Sequence, residues 1–320
     1  MKLRYSLGTF FAVVACFAGL SEPAKAQLWT PADMTTAMWL DGADASTITL
    51  DGNSRVSQWN DKSGNDLHVT QGNASRRPTY SATGWGGTLP TLQLASYGAQ
   101  KDTIGRTMTV GDMSGSAYTL FVVLDAQSAD NEEWIHTAYT ANGKENRHQM
   151  NLNGVKVRSD GSNGGTTSGT YVAGQQILQF TLDGIVSEVL RNGTQIAGNS
   201  GTFVPAAMSG TFSVNGRNPN DGHAGMTGSV SEWVYLAENP STEDRQLIEG
   251  YLAWKWGLAG DLPGDHPYKN AAPGAPVATI TSFGGAGATG VIDQSAKTIA
   301  LGVPFGTDLA ALAPTFTLSS

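Results

Sequence analysis

Between residues 28 and 236 the apolar positions fall in short runs, each closed by glycine, asparagine or aspartate. Residues 55–59 (Arg-Val-Ser-Gln-Trp) alternate and stop at the turn cluster Asn60-Asp-Lys-Ser-Gly-Asn65, which reads as a strand and its exit. Residues 118–124 (Tyr-Thr-Leu-Phe-Val-Val-Leu) are almost continuously apolar and too short for a good helix. They predict a strand buried on both faces. Residues 149–152 and 155–158 flank Asn153-Gly154, a hairpin signal. Residues 177–182, 186–191 and 194–197, joined by Asp183-Gly184 and Asn192-Gly193, predict a three-stranded meander, and 211–214 and 229–236 add two more strands. Many short strands at this spacing predict a β-sandwich or jelly roll.

One segment has a different period. Ser241-Thr-Glu-Asp244 resembles a capping box with Asp in place of Glu. Leu247, Ile248, Tyr251, Leu252 and Trp256 then form a single stripe at helical spacing, ended by Gly257, Pro263 and Pro267. This predicts one amphipathic helix packed on the sandwich. Trp254 and Trp256 could look like a ligand platform, but a core stripe explains the spacing. Residues 271–276 (Ala-Ala-Pro-Gly-Ala-Pro) read as a linker. Beyond it, 280–283, 297–303 and 315–318 are candidate strands of a second β domain. It is shorter than the roughly 100 residues of an immunoglobulin-type sandwich, hence partial. The expected organisation is 1–26, 27–272 and 273–320.

The first of these segments reads as a secretory signal peptide. Lys2 and Arg4 precede an apolar stretch over 7–20, and Ala24-Lys25-Ala26 is an A-x-A cleavage site. The single cysteine, Cys16, lies inside it, and Val13-Val14-Ala15-Cys16 also resembles a lipoprotein box. Cleavage at Ala26 would leave no cysteine and so no disulfide. No other segment is long and apolar enough to span a membrane. A net charge of −8 with only 14% charged residues gives no basic face, which argues against nucleic acid as a partner. Forty glycines among 320 residues, against about 7% in an ordinary protein, suit a turn-rich all-β chain.

Several blocks carry a resemblance. They are Met38-Trp-Leu-Asp41-Gly-Ala-Asp44, Val56-Ser-Gln-Trp59-Asn-Asp61-Lys-Ser-Gly64-Asn65, Arg77-Pro-Thr-Tyr80 and Gly228-Ser-Val-Ser-Glu232-Trp-Val-Tyr235. The series closes with Glu243-Asp-Arg-Gln-Leu-Ile-Glu249-Gly-Tyr251-Leu-Ala-Trp254-Lys-Trp256-Gly257, Leu262-Pro and Asp265-His-Pro267-Tyr. It resembles the laminin-G-like, concanavalin A-like lectin/glucanase domain of secreted bacterial proteins, over about residues 28–270. The resemblance implies an all-β, two-sheet antiparallel jelly roll in a surface or exported protein. Residues 278–316 resemble the start of a bacterial immunoglobulin-like repeat. Members of the wider superfamily bind glycans or proteins, and some hydrolyse glycosides.

The residues offer three kinds of chemistry. Glycoside hydrolysis needs two carboxylates about 5–10 Å apart, and the Glu-x-Asp-x-x-Glu strand motif of jelly-roll glucanases is missing. Glu132 and Glu133 are adjacent, and Glu188 and Glu232 stand singly on their strands as solvent-facing acids or as halves of an unrecognised pair. No Gly-x-Ser-x-Gly elbow occurs. The expectation is a non-catalytic chain. Calcium, which takes six to eight oxygen ligands, finds candidates in Asp41 with Asp44, in Asp61, Asn65 and Asp66, and in Asp221. The same residues close turns through their own side chains. Sugar stacking needs an exposed aromatic beside polar groups. Trp85 in a glycine-rich loop, Trp134 with His136, and His223 are the candidates, with Trp85 alternatively folded back as a lid on the core. Trp39, Trp59 and Trp233 fit the core. The expectation is an exported, non-catalytic module that recognises glycans or surface proteins, or spaces other domains, at the bacterial envelope. A carbohydrate-active enzyme is the alternative.

Overall fold

A computed structural model describes residues 12–14, 29–95, 102–107, 117–128, 134–139, 145–151, 154–158, 167–203, 211–216, 226–274, 280–293, 298–304 and 306–318. The chain divides into two units, residues 29–273 and residues 274–320 with 1–28.

In the larger unit two antiparallel sheets sandwich a core. The first has Tyr118–Ser128 at its centre, between Gly174–Leu182 and Thr227–Leu236. Gly184–Arg191 and Thr194–Phe203 extend one side, and Leu89–Leu94 and Thr79–Trp85 the other. Met38–Asp41 pairs with the second half of Thr227–Leu236. The second sheet runs Ile48–Leu50, Val56–Trp59, Val69–Thr70, Ile104–Thr107, Thr211–Val214, Trp134–Tyr139, Glu145–Asn151, Gly154–Arg158, Thr167–Gly169. Neighbours distant in sequence, such as Tyr118–Ser128 beside Thr227–Leu236, are the long returns of a Greek-key sandwich. The all-β class with a single helix agrees with the sequence pattern.

The near-continuous apolar run 118–124 is explained by its place. Tyr118, Leu120, Val122 and Leu124 point into the core between the sheets, with Trp59, Phe180, Phe212 and Trp233. Phe121 and Val123 point the other way, into a second core beneath the helix, with Trp39, Trp85, Ile248, Leu252 and Trp256. A period of two on a central strand thus serves two different layers.

Thr227–Leu236 follows the same rule with one change of phase. Its register to Tyr118–Ser128 shifts between Val230 and Glu232. Val230 lies in the inter-sheet core, and beyond the bulge Trp233 and Tyr235 take over that face. Val234 and Leu236, and Glu232 with them by alternation, turn toward the helix. Ser231 occupies the bulge. Its carbonyl accepts from Gly42 N at 2.8 Å, and its hydroxyl meets Thr91 Oγ1 at 2.7 Å. A Cβ at Gly42 would stand 2.6 Å from that carbonyl oxygen, so the close approach needs glycine.

Helix α1, Thr242–Lys255, begins as its sequence predicts, with the Ser241 hydroxyl accepting from Asp244 N. It ends in a Schellman closure. Gly257 has φ +73°, and Leu258 N donates to the Ala253 carbonyl at 2.7 Å. Ile248, Leu252 and Trp256 are buried, whereas Leu247 and Tyr251 are only half-buried.

One local expectation fails. The Thr83–Gly87 stretch is no open loop. Strand Thr79–Trp85 turns at Gly86-Gly87, both with positive φ, into Leu89–Leu94, and Thr88 N donates to the Trp85 carbonyl. The glycines open a three-residue hairpin connection, Gly86-Gly87-Thr88, with Trp85 paired to Leu89.

The smaller unit contains two three-stranded sheets, Ala288–Thr289/Ile280–Gly285/Thr315–Leu318 and Ala12–Val14/Thr298–Gly302/Val291–Asp293. Ala12–Val14 is the only described part of the segment expected to be a signal peptide. No helix among the described residues is long and apolar enough to cross a membrane.

Gly228 has φ +145°, and an added Cβ would lie 1.9 Å from the Asp125 carbonyl oxygen on the central strand. Gly228→Ala is therefore expected to lower stability by at least ~2 kcal/mol, from strain and clash together, read as a fall in the urea midpoint. An unchanged midpoint would show that this strand pair is not fixed as described.

Candidate functional site

The bulge brings Glu232 under helix α1, where the scattered sequence blocks converge. Glu232 is 0% exposed. Its Oε1 accepts from Trp39 Nε1 at 2.7 Å and from the Tyr251 hydroxyl at 2.9 Å. Its Oε2 accepts from Trp256 Nε1 at 2.6 Å and meets Lys255 Nζ at 2.7 Å. Asp41 is its cross-strand partner. Two carboxylates placed opposite one another would repel, and Lys255 stands between them, 2.6 Å from Asp41 Oδ1. Lys62 holds the other Asp41 oxygen at 2.9 Å and Asp44 at 2.9 Å. The result is a closed network of three acids and two lysines. The sequence-based view of Glu232 as solvent-facing is corrected: the bulge sets it on the helix side of the strand, and helix α1 covers that face.

The electrostatics follow from this packing. Burial pushes the Glu232 carboxyl upward, against the pull of Lys255 and the Trp39 indole. Burial and the facing Glu232 charge push the Tyr251 phenol well up, so it remains a donor. On Lys62, burial opposes the charge, but hydrogen bonds to Asp44 and Asp41 outweigh it and its pKa is raised. The Ser46 hydroxyl and Lys62 hold Asp44 below the usual carboxylate value.

Asp61 is a second internal acceptor. Oδ1 takes Trp39 N at 2.8 Å and Ser63 N at 2.9 Å, while Oδ2 takes the Ser63 hydroxyl at 2.7 Å and Leu67 N at 3.0 Å. All its lone-pair directions are used. Of the calcium candidates, Asp41, Asp44 and Asp61 are thus engaged by lysines, hydroxyls and backbone amides. Asp66 is exposed, with its carboxylate 3.9 Å from His68 Nε2. Asp221 lies outside the described residues. Asn65 donates through Nδ2 to the carbonyls of Thr36 and Ala37, both at 3.0 Å. Among the described residues no group of three or more His, Cys, Asp or Glu side chains is arranged to hold a metal.

Among the stacking candidates, Trp85 departs from the expectation of an open face. It is 2% exposed, its indole donates to the Trp256 carbonyl at 2.8 Å, and its ring meets Trp256 edge-to-face at 5.3 Å. The lid alternative describes it. Trp134 and His136 lie on Trp134–Tyr139, where His136 pairs with His148 and Val214. His223 lies outside the described residues. Glu188 is half-buried beside Arg245, Asp183 and Glu249, and burial raises its carboxyl. Glu249 is itself buried and bound to Arg245 at 2.8 Å and His266 Nε2 at 3.0 Å.

Away from the network, a cleft of about 520 Å³ opens between Thr35, Thr36, Asn65, Leu67 and Glu238. It offers hydroxyl, amide and carboxylate groups but no aromatic face. Of the sequence-selected residues, only Asn65 lines it.

Residues 280–320 match a family model described as SGBP, N-terminal. No curated protein matches the chain. Among solved structures the chain is similar to Trypanosoma rangeli sialidase in complex with 2,3-difluorosialic acid, at 10% identity and a TM-score of 0.46, over 69% of this chain and 33% of that one. It is also similar to the binding domain of botulinum neurotoxin DC in complex with SialylT, at 11% identity and a TM-score of 0.49, over 69% and 52%. The chain spans about a third to a half of the length of these proteins.

Glu232→Ala would leave the Trp39 and Trp256 indoles and the Tyr251 phenol without their acceptor and Lys255 with Asp41 as its remaining carboxylate, and is expected to cost about 3 kcal/mol, measured by urea unfolding. A loss under about 1 kcal/mol would show that the network does not hold the helix. Because Asp44 titrates lower in the fold, its contribution is present above the unfolded value near 3.8 and fades as pH falls through the folded value. Asp44→Asn is therefore expected to flatten the acid side of a Tm-against-pH curve, and an identical acid limb would count against the Lys62–Asp44 contact.

Proposed function

We propose that the chain is an exported, non-catalytic carbohydrate-binding module of the bacterial envelope. The observation that carries this is the match of residues 280–320 to the N-terminal segment of a sugar-binding protein family. Export is supported by the charged, apolar and small-residue succession of residues 1–26.

A binding rather than hydrolytic role is supported by the state of the acids. A retaining or inverting glycosidase needs one carboxyl free to donate a proton and a second open to the sugar or a water. Asp41 and Glu232 are neighbours, yet Glu232 is sealed from solvent and each of its oxygens is taken by protein donors. The engagement of Asp41, Asp44 and Asp61 within the protein supports sugar recognition without a calcium ion at those residues.

A glycan array probed with the full chain, with and without EDTA, tests this. Capture of one sugar class in both conditions is expected. Silence in both overturns the glycan assignment and leaves an adhesive or spacer role. Capture abolished by EDTA overturns calcium independence alone.

A further inference from the structure

The tryptophans whose side chains are described are buried with one exception. Trp29, Trp39, Trp59, Trp85, Trp233 and Trp256 are all 6% exposed or less, whereas Trp254 is 42% exposed. It stands on helix α1 two residues before the buried Trp256. The helical period therefore turns the two indoles to opposite fates.

Exposure alone would mean little, but this ring is fixed. Trp254 Nε1 donates to the Tyr268 carbonyl at 2.7 Å. Tyr268 is pressed against the helix one turn earlier. A Cβ at Gly250 would lie 2.6 Å from Tyr268 Cβ and 2.7 Å from its Cγ, so glycine there lets the phenol ring settle on the backbone. Tyr268 N in turn donates to His266 Nδ1 at 3.2 Å. His266 Nε2 bonds Glu249, and Glu249 bonds Arg245, both on α1. Lys269 ties the same loop down through the carbonyls of Leu262 and Gly260. The two rings are thus held from several sides before any ligand arrives, which removes part of the ordering cost of binding.

An acid stands at the far end of the same helical face. Glu243 lies on the same helical face as Gly250 and Trp254, at positions i, i+7 and i+11, and is exposed. Burial, and secondarily the Glu243 charge, raises the Tyr268 phenol.

We infer that Trp254 and Tyr268 form the stacking platform for a saccharide ring. The inference rests on the carbohydrate-binding assignment and gives it a location. A pyranose presents an apolar C–H face, and this surface presents a flat indole fixed in place by the Tyr268 carbonyl. The cleft near Asn65 has acceptors but no ring.

The test uses the full chain and the sugar class that the wild type captures on an array, with affinities from titration calorimetry. Trp254→Ala is expected to weaken binding at least about tenfold, and Trp254→Phe, which keeps a flat face, much less. An Asn65→Ala/Glu238→Ala double variant is expected to bind as the wild type does. Should Trp254→Ala fail to fold, judged by circular dichroism, Tyr268→Leu replaces it and is expected to weaken binding several-fold. Equal affinity in wild type and Trp254→Ala overturns the platform while the carbohydrate assignment stands. Loss confined to the cleft variant moves the site there. A wild type that captures no glycan overturns both.

Discussion

A carboxylate sealed from water must find its solvation within the protein, and Glu232 does so at the junction of four segments. Moving an ion of this size out of water costs several kcal/mol even after relaxation. Two indole N–H groups, one phenol and one ammonium offset that cost. These donors come from strand Met38–Asp41 and helix α1. Lys62, from the turn after Val56–Trp59, joins through Asp41. The position of the helix on the sheet, the phase of the bulged strand and the course of the 60–67 turn are therefore settled together. Remove the acceptor and the two indole N–H groups are left buried without it, while Lys255 keeps Asp41.

Much of the sandwich could be read from residue order because its rules are local. The alternation of 55–59, the apolar run of 118–124, the Asp-Gly and Asn-Gly turns of the meander and the Ser241 cap each act over a few residues, and the structure realises them. The failures are of another kind. Trp85 sits among glycines that look like a loop and instead close a hairpin. Glu232 looks solvent-facing because the helix that covers its face of the strand arrives there only through tertiary packing. Asp41 and Asp44 read in the sequence as a pair of oxygens open to a cation. Their partners, Lys255 and Lys62, are set by tertiary contact across as many as 214 residues. Trp254 and Trp256 shared one reading as a core stripe, yet the helix has room beneath it only for the second.

The two parts of the chain carry different kinds of information. The larger unit is defined by its buried polar network and double core. The smaller one is defined by its likeness to a segment of sugar-binding proteins. In the larger unit the surface around Trp254 is rigid for the same reason that the core is stable, since α1 is gripped from below by Glu232 and from the side by His266 through Glu249. Rigidity at a binding face is here a by-product of solvating buried charge.

The closure of the network also bears on how such sequences diversify. Met38-Trp-Leu-Asp41, Asp61-Lys62, Glu232-Trp and Tyr251-Leu-Ala-Trp-Lys-Trp256 are far apart in the chain but chemically interdependent. A change at one is tolerated only with a compensating change at another. These blocks are therefore expected to be inherited as a set and to remain recognisable long after the surface has drifted. What makes such chains look alike is then the internal wiring of the scaffold, which ties residues far apart in the chain to a common history.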